Sequence, residues 1–68
     1  MSYSYNNIEK PVAVDKEYEA QIEDISRKGD GIAKIKGFII FVPNTKQREQ
    51  VKFKVTRVGN RFAIGELV

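Results

Sequence analysis

The 68-residue sequence contains no cysteine and no histidine. Those absences exclude disulfide staples, Cys/His zinc sites, Cys-ligated iron–sulfur clusters and every catalytic dyad or triad built on thiol or imidazole. No apolar run approaches the ~18 residues of a membrane-spanning helix. No stretch keeps a helical period beyond one turn, so a helix laid in a major groove is excluded as a recognition device. The polar, uncharged start from Met1 to Asn7 reads as neither a signal nor a transit peptide. The expectation is a cytoplasmic protein with no membrane partner, metal or cofactor. At this length it forms one domain that buries only about 60% of its unfolded surface, so the fold stands on packing or on a partner.

What is present is charge, unevenly placed. The whole chain carries +3, from 12 Lys+Arg against 9 Asp+Glu. Six acids and two bases precede Ile25, for −4, whereas ten bases and three acids follow Asp24, for +7. Segments of opposite sign predict a polarised surface rather than a uniformly basic one.

Residues 1–10 hold Ser, Asn and Tyr with no period and too little apolar content to bury; they are expected to form a flexible tail before a domain over 11–68. Beyond Pro11 the pattern is that of strands. Tyr18, Ala20 and Ile22 alternate with polar residues in one strand over 17–25, which has an acidic outer face. A turn follows at 26–30. Two short strands flank Lys36-Gly37, and Pro43-Asn44 ends the second. Val51, Phe53 and Val55 alternate with Lys52, Lys54 and Thr56, Gly59-Asn60 marks a hairpin, and a last strand closes the chain. Five strands in some fifty residues predict an all-β fold, and a small five-stranded antiparallel barrel removes exposed edges best.

Catalysis finds no support in this pattern. Most carboxylates lie at i, i+2 spacing on the first strand, facing solvent, with no cleft to drive their pKa values apart. Gly29-Asp30-Gly31 opens like a dinucleotide-binding fingerprint, but the third glycine position holds Lys34 and a strand follows where a helix is required. No small-molecule substrate is expected.

Hairpin parity locates a binding face. A two- or four-residue connection at Lys36-Gly37 pairs Ile35 with Phe38 and Ala33 with Ile40 on an apolar face. It also pairs Lys34 with Ile39 and Ile32 with Phe41 on the other face. The second face then carries an aromatic, cationic patch; a three-residue loop would invert the assignment. A Gly59-Asn60 loop likewise pairs Arg57 with Phe62 at the barrel mouth and Val55 with Ile64 in the core. Aromatics interleaved with Lys and Arg on a β-surface suit single-stranded nucleic acid, whose bases stack on rings while cations follow the phosphates.

The run GDGIAKIKGFIIFVP, preceded by PVAVDKEYEAQIEDI and followed by QVKFKVTRVGNRFAIGELV, resembles the TRAM domain, a five-stranded OB-like barrel. That family occurs on tRNA-modifying enzymes and as small free-standing archaeal proteins. Its usual Gly-rich turn before the fourth strand is replaced here by NTKQREQ. The resemblance implies RNA binding, tRNA included, and an RNA-chaperone role that is often cold-responsive. Lys34, Phe38, Phe41 and Phe62 match its RNA-facing positions, although parity favours the core for Phe38. The expected site comprises Phe38, Phe41 and Phe62 for stacking and Lys34, Lys36, Arg57 and Arg61 for phosphate, with Lys28, Lys52 and Lys54 as secondary contacts. A monomer acting without catalysis is expected. The alternative is a protein-interaction barrel docking an acidic partner.

Overall fold

Alternation of apolar and polar residues sets up the strands, and two breaks in that alternation bend the sheet into a barrel-like shape. The computed structural model describes residues 11–68; the expected tail over 1–10 lies outside the described residues. Six strands form one mixed sheet: β1 (Glu17–Gln21), β2 (Asp24–Ile25), β3 (Gly31–Ile35), β4 (Phe38–Val42), β5 (Gln50–Val58) and β6 (Phe62–Leu67). Their order across the sheet is β1-β5-β6-β4-β3-β2.

The two edge strands, β1 and β2, are consecutive in the chain, and the segment between them makes the sheet curl into a half-barrel. Ile22 N–H donates to the Glu49 carbonyl at 2.8 Å, whereas Glu23 N–H donates to the Ile32 carbonyl at 2.7 Å. The segment expected as one strand over 17–25 therefore leaves the β5 side at Ile22 and joins β3 one residue later. This bend accounts for six strands where five were expected. A second difference is that β4 and β6 pair in parallel, while the other pairs are antiparallel. These two strands are joined through β5, a crossover that brings β6 back alongside β4 in the same direction.

The core is the inner face of this curl. Ile22, Ile40, Val42, Phe53 and Val55 are fully buried, with Val12, Ala33, Phe38, Val51 and Ala63 beside them. Each large apolar side chain removed from water contributes about 1.5–3 kcal/mol, so these few residues dominate the stability of a domain this small. The β3–β4 register pairs Ile35 with Phe38, Ala33 with Ile40, Lys34 with Ile39 and Ile32 with Phe41. Lys36 and Gly37 form the two-residue turn with φ of 51° and 87°, the doubly left-handed geometry of a tight hairpin.

The β5–β6 hairpin departs from expectation. Val58 pairs with Ala63 and Arg57 with Ile64, and a bulge at Thr56 then brings Val55 opposite Gly65. Gly59 N–H donates to the Phe62 carbonyl at 2.7 Å, so the turn is Asn60-Arg61, one residue later than Gly59-Asn60. The extra residue in the bulge lets Val55 and Val58, three apart, both face the core. On β6 it turns Ala63 and Gly65 inward and Ile64 outward, correcting the expectation that Ile64 is core. Gly65 is required there: a Cβ would lie 2.7 Å from the Phe53 ring.

The connection over 43–49 replaces a Gly-rich turn without glycine. Asn44 and Arg48 take the left-handed backbone positions, with φ of 65° and 71°. The buried Thr45 hydroxyl donates to the Val42 carbonyl at 2.8 Å, and Arg48 N–H donates to the Ile22 carbonyl at 2.6 Å. Gly31 completes this joint, because a Cβ on it would collide with the Thr45 hydroxyl.

Candidate nucleic-acid interface

The outward residues of β3, β4 and β6 fall into two cross-strand rows. Lys34, Ile39 and Phe62 are in register in the first. Ile32, Phe41 and Ile64 are in register in the second, and Arg57 of β5 pairs with Ile64 at its end. Residues in register share a face, so four apolar side chains lie on one face with Phe62, with Lys34 at the end of the first row and Arg57 and Asp24 at the two ends of the second. Ile32, Ile39, Phe41 and Ile64 are half-buried; Phe62 is 40% exposed. The Phe41 and Phe62 rings meet edge to face, with centroids 6.4 Å apart and planes at 60°.

Phe62 owes its position to Gly59. A Cβ on Gly59 would collide with the ring's Cε1 and lie 2.7 Å from Cζ. The missing side chain lets the ring lie against the hairpin backbone. Beside Phe41 an open groove of about 460 Å³ is lined by Phe41, Pro43 and Ile64. Ser26, Arg27, Lys28 and Asp30 complete its lining. They belong to a three-residue hairpin loop, in which Ser26 N–H donates to the Asp30 carbonyl at 2.8 Å and Gly29 N–H to the Ser26 carbonyl at 2.9 Å. Gly29 supplies the left-handed residue, with φ of 93°, that closes such a loop.

Most of the expected site residues converge here. Lys34 is exposed in the first row, Lys36 is in the adjoining turn, and Arg57 ends the second row. Arg61 sits in the hairpin turn, where its carbonyl accepts from Ile39 N–H at 3.2 Å. Lys28 stands on the groove wall. Phe38 does not join them: it is 7% exposed and packed in the core, which leaves its ring no free face for a base. Parity between Ile35 and Phe38 across the two-residue turn is the physical reason. Lys52 and Lys54 lie farther along β5, in register with Glu19 and Glu17, and Lys52 Nζ is 3.5 Å from the Glu17 carboxylate. Glu66 pairs with Lys54 from the other side. These two lysines are thus set among carboxylates rather than beside the rings.

Five residues of the groove escaped the sequence reading: Ser26, Arg27, Asp30, Pro43 and the outward Ile64. The turn over 26–30 was legible, but which strand face it borders depends on the parallel β4–β6 pairing. For Ile64 a signal existed, since the three-residue spacing of Val55 and Val58 breaks the period of two and announces a bulge.

A curled β-sheet carrying an aromatic face rimmed with cations defines a small OB-like binding module. The chain belongs to the TRAM domain family, which matches residues 11–68. The TRAM domain is an RNA-binding domain. The chain is 45% identical over 58 residues to an uncharacterized protein of Methanocaldococcus jannaschii, covering 85% of this chain and 75% of that protein. It is 49% identical over 51 residues to the translation initiation factor 2 subunit beta of Methanothrix thermoacetophila, covering 75% of this chain and 24% of the subunit. It is also 40% identical over 58 residues to an uncharacterized RNA methyltransferase of Clostridium acetobutylicum, covering 85% of this chain but only 13% of that much longer protein. The solution structure of a conserved protein from Methanococcus maripaludis superimposes with a TM-score of 0.86 at 43% identity, over 100% of this chain and 99% of that one. Among the described residues no helix is long and apolar enough to cross a membrane.

Proposed function

We propose that this chain binds unpaired segments of RNA, tRNA loops among them, through the outer face of β3, β4 and β6, and acts as an RNA chaperone without catalysing a reaction. The observation that carries this reading is the Phe41–Phe62 pair, two partly exposed rings in edge-to-face contact on a β-surface. Bases stack on such rings at about 1–3 kcal/mol each, whatever their sequence. Lys34, Lys36, Arg57 and Arg61 surround the pair and neutralise phosphates, with Arg27 and Lys28 extending the track along the groove.

Two rings and a handful of cations give contacts that form and release readily. Such contacts hold a strand open long enough for a misfolded pairing to be exchanged, which is the physical content of chaperone action. The protein acts as a monomer in this reading, since one face suffices.

Amide shift mapping with a short single-stranded RNA tests the site. Shifts are expected at Lys34, Phe41, Arg57 and Phe62; shifts confined to Glu17–Gln21 would overturn the choice of face. An acidic peptide that shifts these residues while RNA leaves them unmoved would replace RNA by a protein partner. A quenched RNA hairpin tests the chaperone step: the protein should speed its opening and exchange with a competing strand.

A further inference from the structure

We infer that the groove beside Phe41 is a subsite for one unpaired guanine, read by the carboxylate of Asp30. The inference rests on the proposed RNA-binding reading of the adjacent face. A carboxylate on a surface that follows phosphates lowers affinity by repulsion unless it receives hydrogen bonds from the ligand.

Asp30 is not spent on holding its own turn. That turn is closed by backbone bonds between Ser26 and Asp30 and between Gly29 and Ser26, and by Asp30 N–H donating to Ser26 Oγ at 3.2 Å. The Asp30 carboxylate itself makes no hydrogen bond or ion pair among the described residues. Asp30 is one of the residues that line a groove of about 460 Å³, within the size range of sites that take a small organic ligand. The Phe41 ring, with Pro43 and Ile64, supplies an apolar wall for a flat base, and Arg27 and Lys28 flank it with positive charge for the adjoining phosphates.

An ionised carboxylate only accepts hydrogen bonds, through two oxygens side by side. Among the Watson–Crick edges, guanine alone offers two adjacent donors, N1–H and the 2-amino group. Adenine and cytosine place a ring acceptor next to their amine, and uracil flanks its single N–H with two carbonyls. A carboxylate therefore pairs bidentately with guanine and repels part of every other edge. The Ser26 hydroxyl, whose oxygen accepts from Asp30 N–H, keeps its own proton for the guanine O6.

The test is fluorescence anisotropy with labelled oligouridine eight-mers carrying at the centre a single guanosine, inosine, adenosine or uridine. The guanosine oligomer is expected to bind about tenfold more tightly than all-uridine, in keeping with one bidentate base contact. Inosine, which lacks the 2-amino group, should lose most of that gain. Asp30→Asn should abolish the preference and tighten binding to all-uridine, since it removes a repelling carboxylate, and its fold is checked by amide spectra. Equal binding of all four oligomers by the unaltered protein, or a guanosine preference that survives in Asp30→Asn, overturns the guanine subsite and leaves RNA binding standing. Absence of binding to any oligomer overturns the underlying RNA reading instead.

Discussion

Phe41 and Phe62 contact each other on the diagonal of a parallel strand pair. Ile39 is in register with Phe62 and Phe41 with Ile64, and the two rings bridge the rows with centroids 6.4 Å apart. The pair unites the β3–β4 hairpin with the last strand, so the aromatic surface exists only once these distant segments have assembled into one sheet. An edge-to-face arrangement contributes about 0.5–1.5 kcal/mol beyond area burial, and it also keeps the rings from collapsing face to face.

Replacing Phe62 by Ala should weaken binding to single-stranded RNA by about 1–3 kcal/mol, the worth of one stacked base. The thermal midpoint should fall only by the few degrees that losing the edge-to-face contact costs, because the ring is 40% exposed. Phe41→Ala should cost a similar amount of affinity and more stability, since that ring is half-buried. Titration and melting curves on the same preparations separate the two effects. A Phe62→Ala variant that unfolds would show that the ring is core.

Gly59→Ala should act through Phe62. The added Cβ collides with the ring while the strand pairing on either side is kept, so the ring must swing off the hairpin. RNA affinity should fall toward that of Phe62→Ala with the amide spectrum otherwise preserved. In the Phe62→Ala background the same substitution should cost nothing further, as a double-mutant cycle measures. Additive losses would mean that Gly59 acts on binding by a route other than the ring.

How much of this was legible in the sequence depends on loop length. The β3–β4 register could be written down residue by residue because Lys36-Gly37 is a two-residue turn whose glycine tolerates a positive φ. The β5–β6 register could not, because the turn is displaced to Asn60-Arg61 and a bulge at Thr56 reverses the inward residues of β6. Gly59-Asn60 looks like a turn dipeptide, yet Gly59 serves to clear space beneath Phe62. The groove was invisible for another reason: Ile64 lies beside Phe41 through a parallel pairing that no local pattern specifies.

Phe38→Ala separates the family-implied role of this residue from its place in the structure. The side chain is 7% exposed among Ile40, Ala33 and their neighbours, so truncation should destabilise the fold by about 3–5 kcal/mol. That is a large fraction of the about 5–15 kcal/mol available to a typical domain. Denaturant melts should show the loss. Any drop in RNA affinity should vanish when binding is compared at equal folded fraction; a drop that persists would restore Phe38 to the binding face.

Salt dependence should distinguish the lysines that follow RNA from those that face carboxylates. With about four phosphates neutralised, log K for single-stranded RNA should fall against log salt with a slope near −3, at roughly −0.7 per phosphate. Lys34 stands in the row that contains Phe62, so Lys34→Gln should flatten the slope by about 0.7. Lys52 is 3.5 Å from the Glu17 carboxylate, and an exposed pair of this kind contributes about 0–1 kcal/mol to stability. Lys52→Gln should therefore leave both slope and fold nearly unchanged. The reverse pattern, with Lys52→Gln flattening the slope and Lys34→Gln leaving it intact, would move the phosphate track from the aromatic rows to the β1–β5 side.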